Sequence, residues 1–467
     1  MRKLVVTACL CLALAGGFTQ LSSAAFTGST VLPSNNVTAD ALRNYFSVSP
    51  GSDVQPGTGT AVGAGNVDGF SIDLGTVPSA RTFSNVFRIT NVSGASRTAT
   101  LALSSVPQVT AAVFASSGGT TATLPAGAST NLTVTTSASI AGRGWGSFRL
   151  GLSGTSWLYR DYSFHVDEAP EAPAALIGTQ KPAGRIDLSW GASSTTTNLA
   201  GYDVYRSNGG AYTKLTATPQ TALAYSDIAT VDGTAYTYKI HAVSSGTPVL
   251  DSLDSLTVNV TADATAPGQA SSIVLTNGGG AGSGYVNAAN ASGISIAVAL
   301  PAGSLTTDVV KLTITNGGTV TSTQAGSAGA GTVNFNGINV SGLGDGALSL
   351  TVISTDLAGN VSAARTTTIT KDATAPGAPT AVYTDKVHTA DQVAGAAEPN
   401  ASISIDKTTA PTASFSTTAA ADGSYSMLVA TVNGTNPAPI SVTYTITATD
   451  AAGNTSAVTT LIYSDTK

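Results

Sequence analysis

Cysteine is almost missing from these 467 residues: Cys9 and Cys11 are the only two, and both lie near the N-terminus. With that leader removed, the chain has no thiol, no disulfide and no cysteine-ligated metal. Neither cysteine suits a lipid anchor, since Cys9 follows too little apolar sequence and Cys11 sits behind bulky Leu10. Histidine is equally scarce. His165, His241 and His388 are far apart in sequence, and none belongs to a His-Glu-x-x-His pattern. A nucleophile elbow, a phosphate loop and a dinucleotide fingerprint are also lacking. Charged residues make up only 10% of the chain. The densest acidic group, Asp167, Glu168 and Glu171, lies in a proline-containing stretch and reads as a solvated hinge rather than a catalytic pair. The net charge is −6; losing Arg2 and Lys3 with the leader leaves 18 basic against 26 acidic residues, or −8. A mildly acidic chain is a poor partner for nucleic acid. These deficits together predict a protein that is not an enzyme and carries no cofactor.

The leader is the one long apolar run. Arg2 and Lys3 precede Leu4–Ala15, and small residues follow up to Ala24 and Ala25. A basic start, an apolar stretch and an Ala-x-Ala-like site predict a secretory signal peptide over 1–25. The run is shorter than the ~20 residues that span a bilayer, so no membrane segment is expected in the mature chain. Export places the protein outside the cell, or loosely on its surface. Residues 26–66 mix turn formers with isolated apolar residues and read as an irregular segment, a linker or a docking arm. Their start, "AFTGSTVLPSNNVTADAL", resembles that of exported proteins cut by the SipW type of signal peptidase, a group that includes biofilm matrix fibres. The usual Ala-Gly is replaced by "TADAL".

Beyond that segment, Val, Ile, Leu and Tyr alternate with Ser and Thr between turn signals, the period of half-buried strands. Over 67–166 the words "DLGTV", "RITNVSG" and "LPAGASTNLTV" resemble the immunoglobulin-like domain of spindle-associated and hydin-like proteins. Over 171–262 "GRIDLSWGA", "LAGYDVYRSNGGAYTKL" and "DGTAYTYKIHAVSSG" resemble a fibronectin type III domain. That resemblance puts Trp190 in the core and makes Tyr236 a tyrosine corner. Either Tyr202 and Val204 or Asp203 and Tyr205 point inward.

Two identical words, "DATAPG" at Asp263–Gly268 and at Asp372–Gly377, open the last two segments, 267–371 and 376–467. Each of these segments also closes on an Asp-x-Ala-Gly-Asn turn, Asp356–Asn360 and Asp450–Asn454. Gly and Asn there tolerate positive φ, and the linker proline cannot be absorbed into a ladder. The repeated words therefore mark joints. Both segments resemble bacterial immunoglobulin-like domains of large adhesins. The predicted fold class is all-β: tandem immunoglobulin-like and fibronectin type III sandwiches on short proline-containing linkers.

Two candidate sites follow. The adhesin resemblance implies interdomain calcium on Asp263, Asp356, Asp372 and Asp450, with Asp356 and Asp372 approaching each other at the joint; the alternative is that each turn aspartate caps its own turn. The aromatic stretch containing Trp145, Trp157 and Tyr159 is either a platform for sugars or core and strand-edge packing, and the latter is the expected outcome. The function expected is a secreted, non-catalytic modular spacer or adhesin of the cell surface or extracellular matrix. Its partner would be an extracellular protein or polysaccharide. The alternatives are a carbohydrate-binding accessory of polysaccharide degradation and a fibre-forming matrix subunit.

Overall fold

A computed structural model describes residues 42–53, 72–104, 106–156, 158–280, 282, 284–386, 389–430 and 440–465. Residues 1–25, where a signal peptide is expected, most of 26–66, Trp157 and His388 lie outside the described residues. Their regular secondary structure is almost wholly strand, with one 3-10 turn at Pro182–Gly184. They form two compact units: Met1–Thr179 with Arg185–Ala262, and Gln180–Gly184 with Asp263–Lys467.

The first unit holds two pairs of facing sheets. In the first pair, one sheet runs Phe46–Pro50, Phe87–Asn91, Ser129–Thr136 and Thr82–Phe83, with Val109–Phe114 also on Ser129–Thr136. The other runs Ile72–Val77, Tyr159–Glu168, Gly142–Leu152, Arg97–Leu103 and Thr121–Leu124. Period-two alternation sends Phe87, Ile89, Leu132, Val134, Phe148, Leu150, Phe164 and Val166 into one core. The stretch read as irregular contributes here. Phe46–Pro50 pairs antiparallel with Phe87–Asn91, and Leu42 and Phe46 are buried in the same core. Its apolar residues are spaced for a short edge strand, too brief to stand out among the turn residues around it.

The second pair is Ala174–Gln180, Ile186–Gly191 and Ala224–Asp227 against Thr213–Lys214, Leu199–Ser207, Ala235–Ser244 and Val258–Thr261. Trp190 is buried edge-on to Tyr202, with ring centroids 5.9 Å apart. Tyr202 and Val204 point inward. Asp203 is buried too, but among polar partners: Thr216 Oγ1 donates to it at 2.8 Å and Lys214 pairs with it at 2.5 Å. Tyr236 acts as a tyrosine corner: the Val231 N–H donates to its Oη at 2.9 Å, fixing the loop five residues upstream.

The second unit repeats one plan. Ser272–Leu275, Ile294–Ala299 and Thr332–Ile338 face Tyr285–Val286, Arg365–Lys371, Gly346–Thr355, Val309–Thr315 and Thr319–Ala325. Val382–Thr384, Asp391–Ala396 and Ser424–Val429 face Ala413–Thr418, Ser402–Lys407, Ile440–Thr449 and Thr459–Asp465. Each pair encloses its own apolar cluster, one centred on Ile296, Leu312, Phe335 and Leu350, the other on Ile403, Ile405, Tyr444 and Ile446. Among the described residues no helix is long and apolar enough to cross a membrane.

Candidate functional site

The repeated turn is a clamp. In Asp356–Asn360 both carboxylate oxygens of Asp356 accept from Asn360, Oδ1 from its N–H at 2.8 Å and Oδ2 from its Nδ2 at 2.9 Å. Gly359 takes the positive φ, +92°. Asn360 is not among the positive-φ residues, so the structure departs from the role the sequence suggests for it. Its side chain reaches outward instead. Nδ2 also donates to the Asp263 carbonyl at 3.1 Å, and Oδ1 accepts from the Ala183 N–H at 2.9 Å.

Asp450–Asn454 repeats this bond for bond. Asp450 accepts from Asn454 N and Nδ2, both at 2.8 Å. Nδ2 donates to the Asp372 carbonyl at 2.8 Å, and Oδ1 accepts from the Ala288 N–H at 2.9 Å. Asn287 answers by donating to the Ala452 carbonyl at 2.8 Å. The backbones close to contact around it: a Cβ on Gly280 would meet the Ala451 carbonyl oxygen at 2.3 Å. Each Asp-x-Ala-Gly-Asn turn therefore holds the "DATAPG" word that opens its own sandwich, together with a turn from earlier in the chain.

This corrects the pairing expected of Asp356 and Asp372. They sit at opposite ends of Gly346–Thr355, since Asp372 follows the partner of Gly346 and Asp356 follows Thr355. Ten strand residues at ~3.3 Å each separate them by roughly 30 Å. The structure brings together Asp356 with Asp263, and Asp450 with Asp372. Calcium takes six to eight oxygens. Here N–H donors occupy the carboxylates of Asp356 and Asp450, a donor set that fits a capped turn and does not fit that cation. Among the described residues no three His, Cys, Asp or Glu side chains gather to hold a metal.

Replacing Asn454 by alanine removes the bonds to Asp372 and Ala288 and leaves Oδ2 of the half-buried Asp450 without its donor. At roughly 1 kcal/mol per net bond, the expected loss is about 1–3 kcal/mol. Limited proteolysis of the 372–377 linker should accelerate while the apolar cores stay folded.

In the first unit the joint is different. The Ser139 carbonyl accepts the N–H groups of Thr196 and Thr197, each at 3.1 Å, and the Thr197 carbonyl accepts that of Ala141 at 3.2 Å. Thr195 Oγ1 donates to the Ala138 carbonyl and Asn198 Nδ2 to the Ala141 carbonyl, both at 2.9 Å. The acidic trio read as a solvated hinge lies beside it and is not solvated. Asp167 is buried against Arg143, bonded at 2.6 and 2.7 Å, which holds its carboxyl below the ordinary range. Glu171 Oε1 accepts the Ala80 N–H at 2.6 Å.

Glu168 is 1% exposed, and neither of its carboxyl oxygens has a hydrogen-bond partner. Burial pushes its carboxyl up to about 8, with Glu171 adding repulsion. The nearby Thr136 hydroxyl is shared with the Arg81 backbone and compensates only in part.

The aromatic stretch divides. Tyr162 is core. Trp145 is 63% exposed, against the expectation of core or strand-edge packing, and Tyr159 is half-buried on the same outward face. The register of Gly142–Leu152 on Tyr159–Glu168 sets Trp145 opposite His165 and Arg149 opposite Asp161. Trp145 and His165 stack with centroids 4.9 Å apart. The Arg149 guanidinium lies 3.8 Å over Tyr159. The inward positions between them are Gly144 and Gly146, where a Cβ would strike Gln108 at 2.6 Å and Val106 at 2.3 Å.

No protein-family model matches the chain. Two curated proteins match in part. An amylopullulanase of Thermoanaerobacterium saccharolyticum is 32% identical over 94 residues, 19% of this chain and 7% of that protein. Another, of Thermoanaerobacterium thermosulfurigenes, is 31% identical over 61 residues, 13% of this chain and 3% of that protein. The chain thus spans only a small fraction of these relatives' length. Among solved structures, a tetra-tandem repeat from the extending region of a large adhesion protein is 18% identical, covering 82% of this chain and 95% of that one, with a TM-score of 0.24. A Fn3-like protein from Clostridium thermocellum is 32% identical, covering 20% of this chain and 91% of that one, with a TM-score of 0.17. The facing sheets and their separate cores decide the architecture. This chain is a tandem array of fibronectin type III and immunoglobulin-like sandwiches. Such modules are typically non-catalytic. The buried Asn360 and Asn454 are spent on joints and the buried Asp227 on a core network.

Proposed function

We propose that this protein is a secreted, non-catalytic modular spacer or adhesin of the cell surface or extracellular matrix. It would work as four modules bounded near 67–166, 171–262, 267–371 and 376–467, with the strand Phe46–Pro50 added to the first. The observation that carries this reading is the recurrence of one joint device, in which Asn360 and Asn454 make the same bonds to the linker words. Within the second unit the Asn454 bonds tie the 372–377 linker and an earlier turn to the last sandwich, a device that supports a chain built to hold or present something at a distance. The likeness to an adhesion-protein repeat agrees with it. Fractionating a producing culture into cytoplasm, wall, matrix and medium tests the reading. The protein is expected in the last three, monomeric after purification, and silent in hydrolysis assays. Recovery in the cytoplasm, or hydrolytic turnover, would contradict it.

The partial match to two amylopullulanases and the exposure of Trp145 favour a second reading, that of a glycan-holding accessory to polysaccharide breakdown. The two readings differ in the partner rather than in the architecture.

A further inference from the structure

The outward face of Gly142–Leu152 and Tyr159–Glu168 is a ladder of cross-strand pairs. In order they are Arg143 with Asp167, Trp145 with His165, Ser147 with Ser163, and Arg149 with Asp161, and Tyr159 faces Gly151 at the end. Both arginines are bidentate to their aspartates, Arg143 at 2.6 and 2.7 Å and Arg149 at 2.8 and 2.9 Å. His165 Nδ1 lies 3.3 Å from Asp73 on the next strand. The two arginines on this face are therefore each neutralised by an aspartate. Toward the other edge of the sheet, on the same face, Thr98 and Thr123 have hydroxyls bonded at 2.8 Å.

We propose that this face binds an uncharged polysaccharide, with the Trp145 ring as its stacking platform. This deepens the spacer reading and rests on it, by supplying the thing held. Three features of the face argue for that occupant. The indole, 63% exposed and held in place by its stack on His165, presents an apolar ring face to solvent. The surface around it is hydroxyl and ion-pair rather than apolar, so it lacks the contiguous hydrophobic centre of a protein interface. The two arginine–aspartate pairs leave no net positive charge to attract a polyanion, while guanidinium N–H groups and carboxylate lone pairs beyond those used in pairing remain suited to sugar hydroxyls. A pyranose presents an apolar C–H face to an indole and a rim of hydroxyls to such groups. From the Trp145 rung to the Tyr159 rung is six residues, or ~20 Å along the strand. That span suits a chain of several sugars rather than a monosaccharide.

The test uses the purified full chain with insoluble amylose, insoluble cellulose and, as the charged control, immobilised polygalacturonate. Retention is expected on at least one neutral glucan and not on the polyanion, with a shift in tryptophan fluorescence on soluble oligosaccharides of the retaining type. Trp145→Ala should weaken retention about tenfold or more, as loss of a central aromatic anchor does. Trp145→Phe should keep most of it. Because the residue is exposed, both variants should melt with the wild type. Equal retention of Trp145→Ala, stronger retention on polygalacturonate, or no retention of the wild type on either glucan would overturn the proposal while leaving the spacer reading intact. Release of reducing sugar from the glucan would instead overturn the non-catalytic reading on which it rests.

Discussion

Glu168→Gln is expected to raise the melting midpoint of the first unit by roughly 10 °C at pH 9 and to leave it nearly unchanged at pH 4. The wild-type carboxyl is 1% exposed, without a partner, and pushed from 4.5 to about 8. Its folded value lies above its unfolded one, so the fold prefers the neutral acid. Stability is therefore complete below about pH 4.5. It falls as pH rises through the interval up to about 8 and is level above that. A tenfold change in a protonation equilibrium is worth roughly 1.4 kcal/mol, so the ionised carboxyl costs the fold on the order of 3–5 kcal/mol. At roughly 2–4 °C per kcal/mol for a unit of this size, the gain in midpoint is on the order of 10 °C. Glutamine keeps the shape and removes the titration. Scanning calorimetry of both proteins from pH 4 to pH 9 reads the effect as two curves that diverge with pH. Parallel curves would mean that Glu168 does not titrate in the folded chain.

Asp227→Ala is expected to be the most damaging single change in the 171–262 sandwich, at about 3–5 kcal/mol. Asp227 is 2% exposed and accepts three bonds: from Arg206 Nη1 at 2.9 Å, from Tyr238 Oη at 2.8 Å and from the Ala229 N–H at 3.0 Å. Tyr238 is fully buried, and burial with the Asp227 bond pushes its phenol well up, so it remains a donor at any ordinary pH. Removing the carboxylate leaves a half-sheltered guanidinium and a buried hydroxyl with no acceptor, and this unpaired remainder accounts for most of the cost. Asp227→Asn retains acceptors for two donors and should cost less than half as much. Urea melts followed by the fluorescence of Trp190, which is buried in the same core, measure both variants. A loss below about 1 kcal/mol for Asp227→Ala would contradict the network.

These two residues also show where sequence reasoning stopped. The sandwich around Trp190 was legible because a buried tryptophan, alternating strands and a tyrosine two positions before another are local patterns. Asp227 was not, because the partners that give it meaning are 21 and 11 residues away on other strands. Glu168 misled for a definite reason. The register of Tyr159–Glu168 against Ile72–Val77 shifts between His165 and Asp167, so Val166, Asp167 and Glu168 are buried in succession and the inside–outside alternation fails. Trp145 misled in the opposite sense. Its neighbours in sequence are glycines, and glycine gives no apolar signal that its side of the strand faces inward. Gly144 and Gly146 are small because Val106 and Gln108 crowd them.

The joints were half legible. Repetition of "DATAPG" and Asp-x-Ala-Gly-Asn marked them, and Gly453 and Gly359 take the positive φ that the pattern requires. The turn asparagines were read as tolerating that same conformation. Their bonds to carbonyls 82 and 97 residues earlier are long-range facts that no local pattern carries.

The central claim is that the repeated turn is a joint and not merely a hairpin end. Amide hydrogen exchange at Ala288 tests it most directly, because that N–H donates to Asn454 Oδ1, 166 residues away, across the joint. Strong protection of the Ala288 amide in the intact chain, lost in Asn454→Ala while the amides of Gly346–Thr355 keep theirs, is the predicted result. Exchange at the rate of an open loop in the wild type would contradict it.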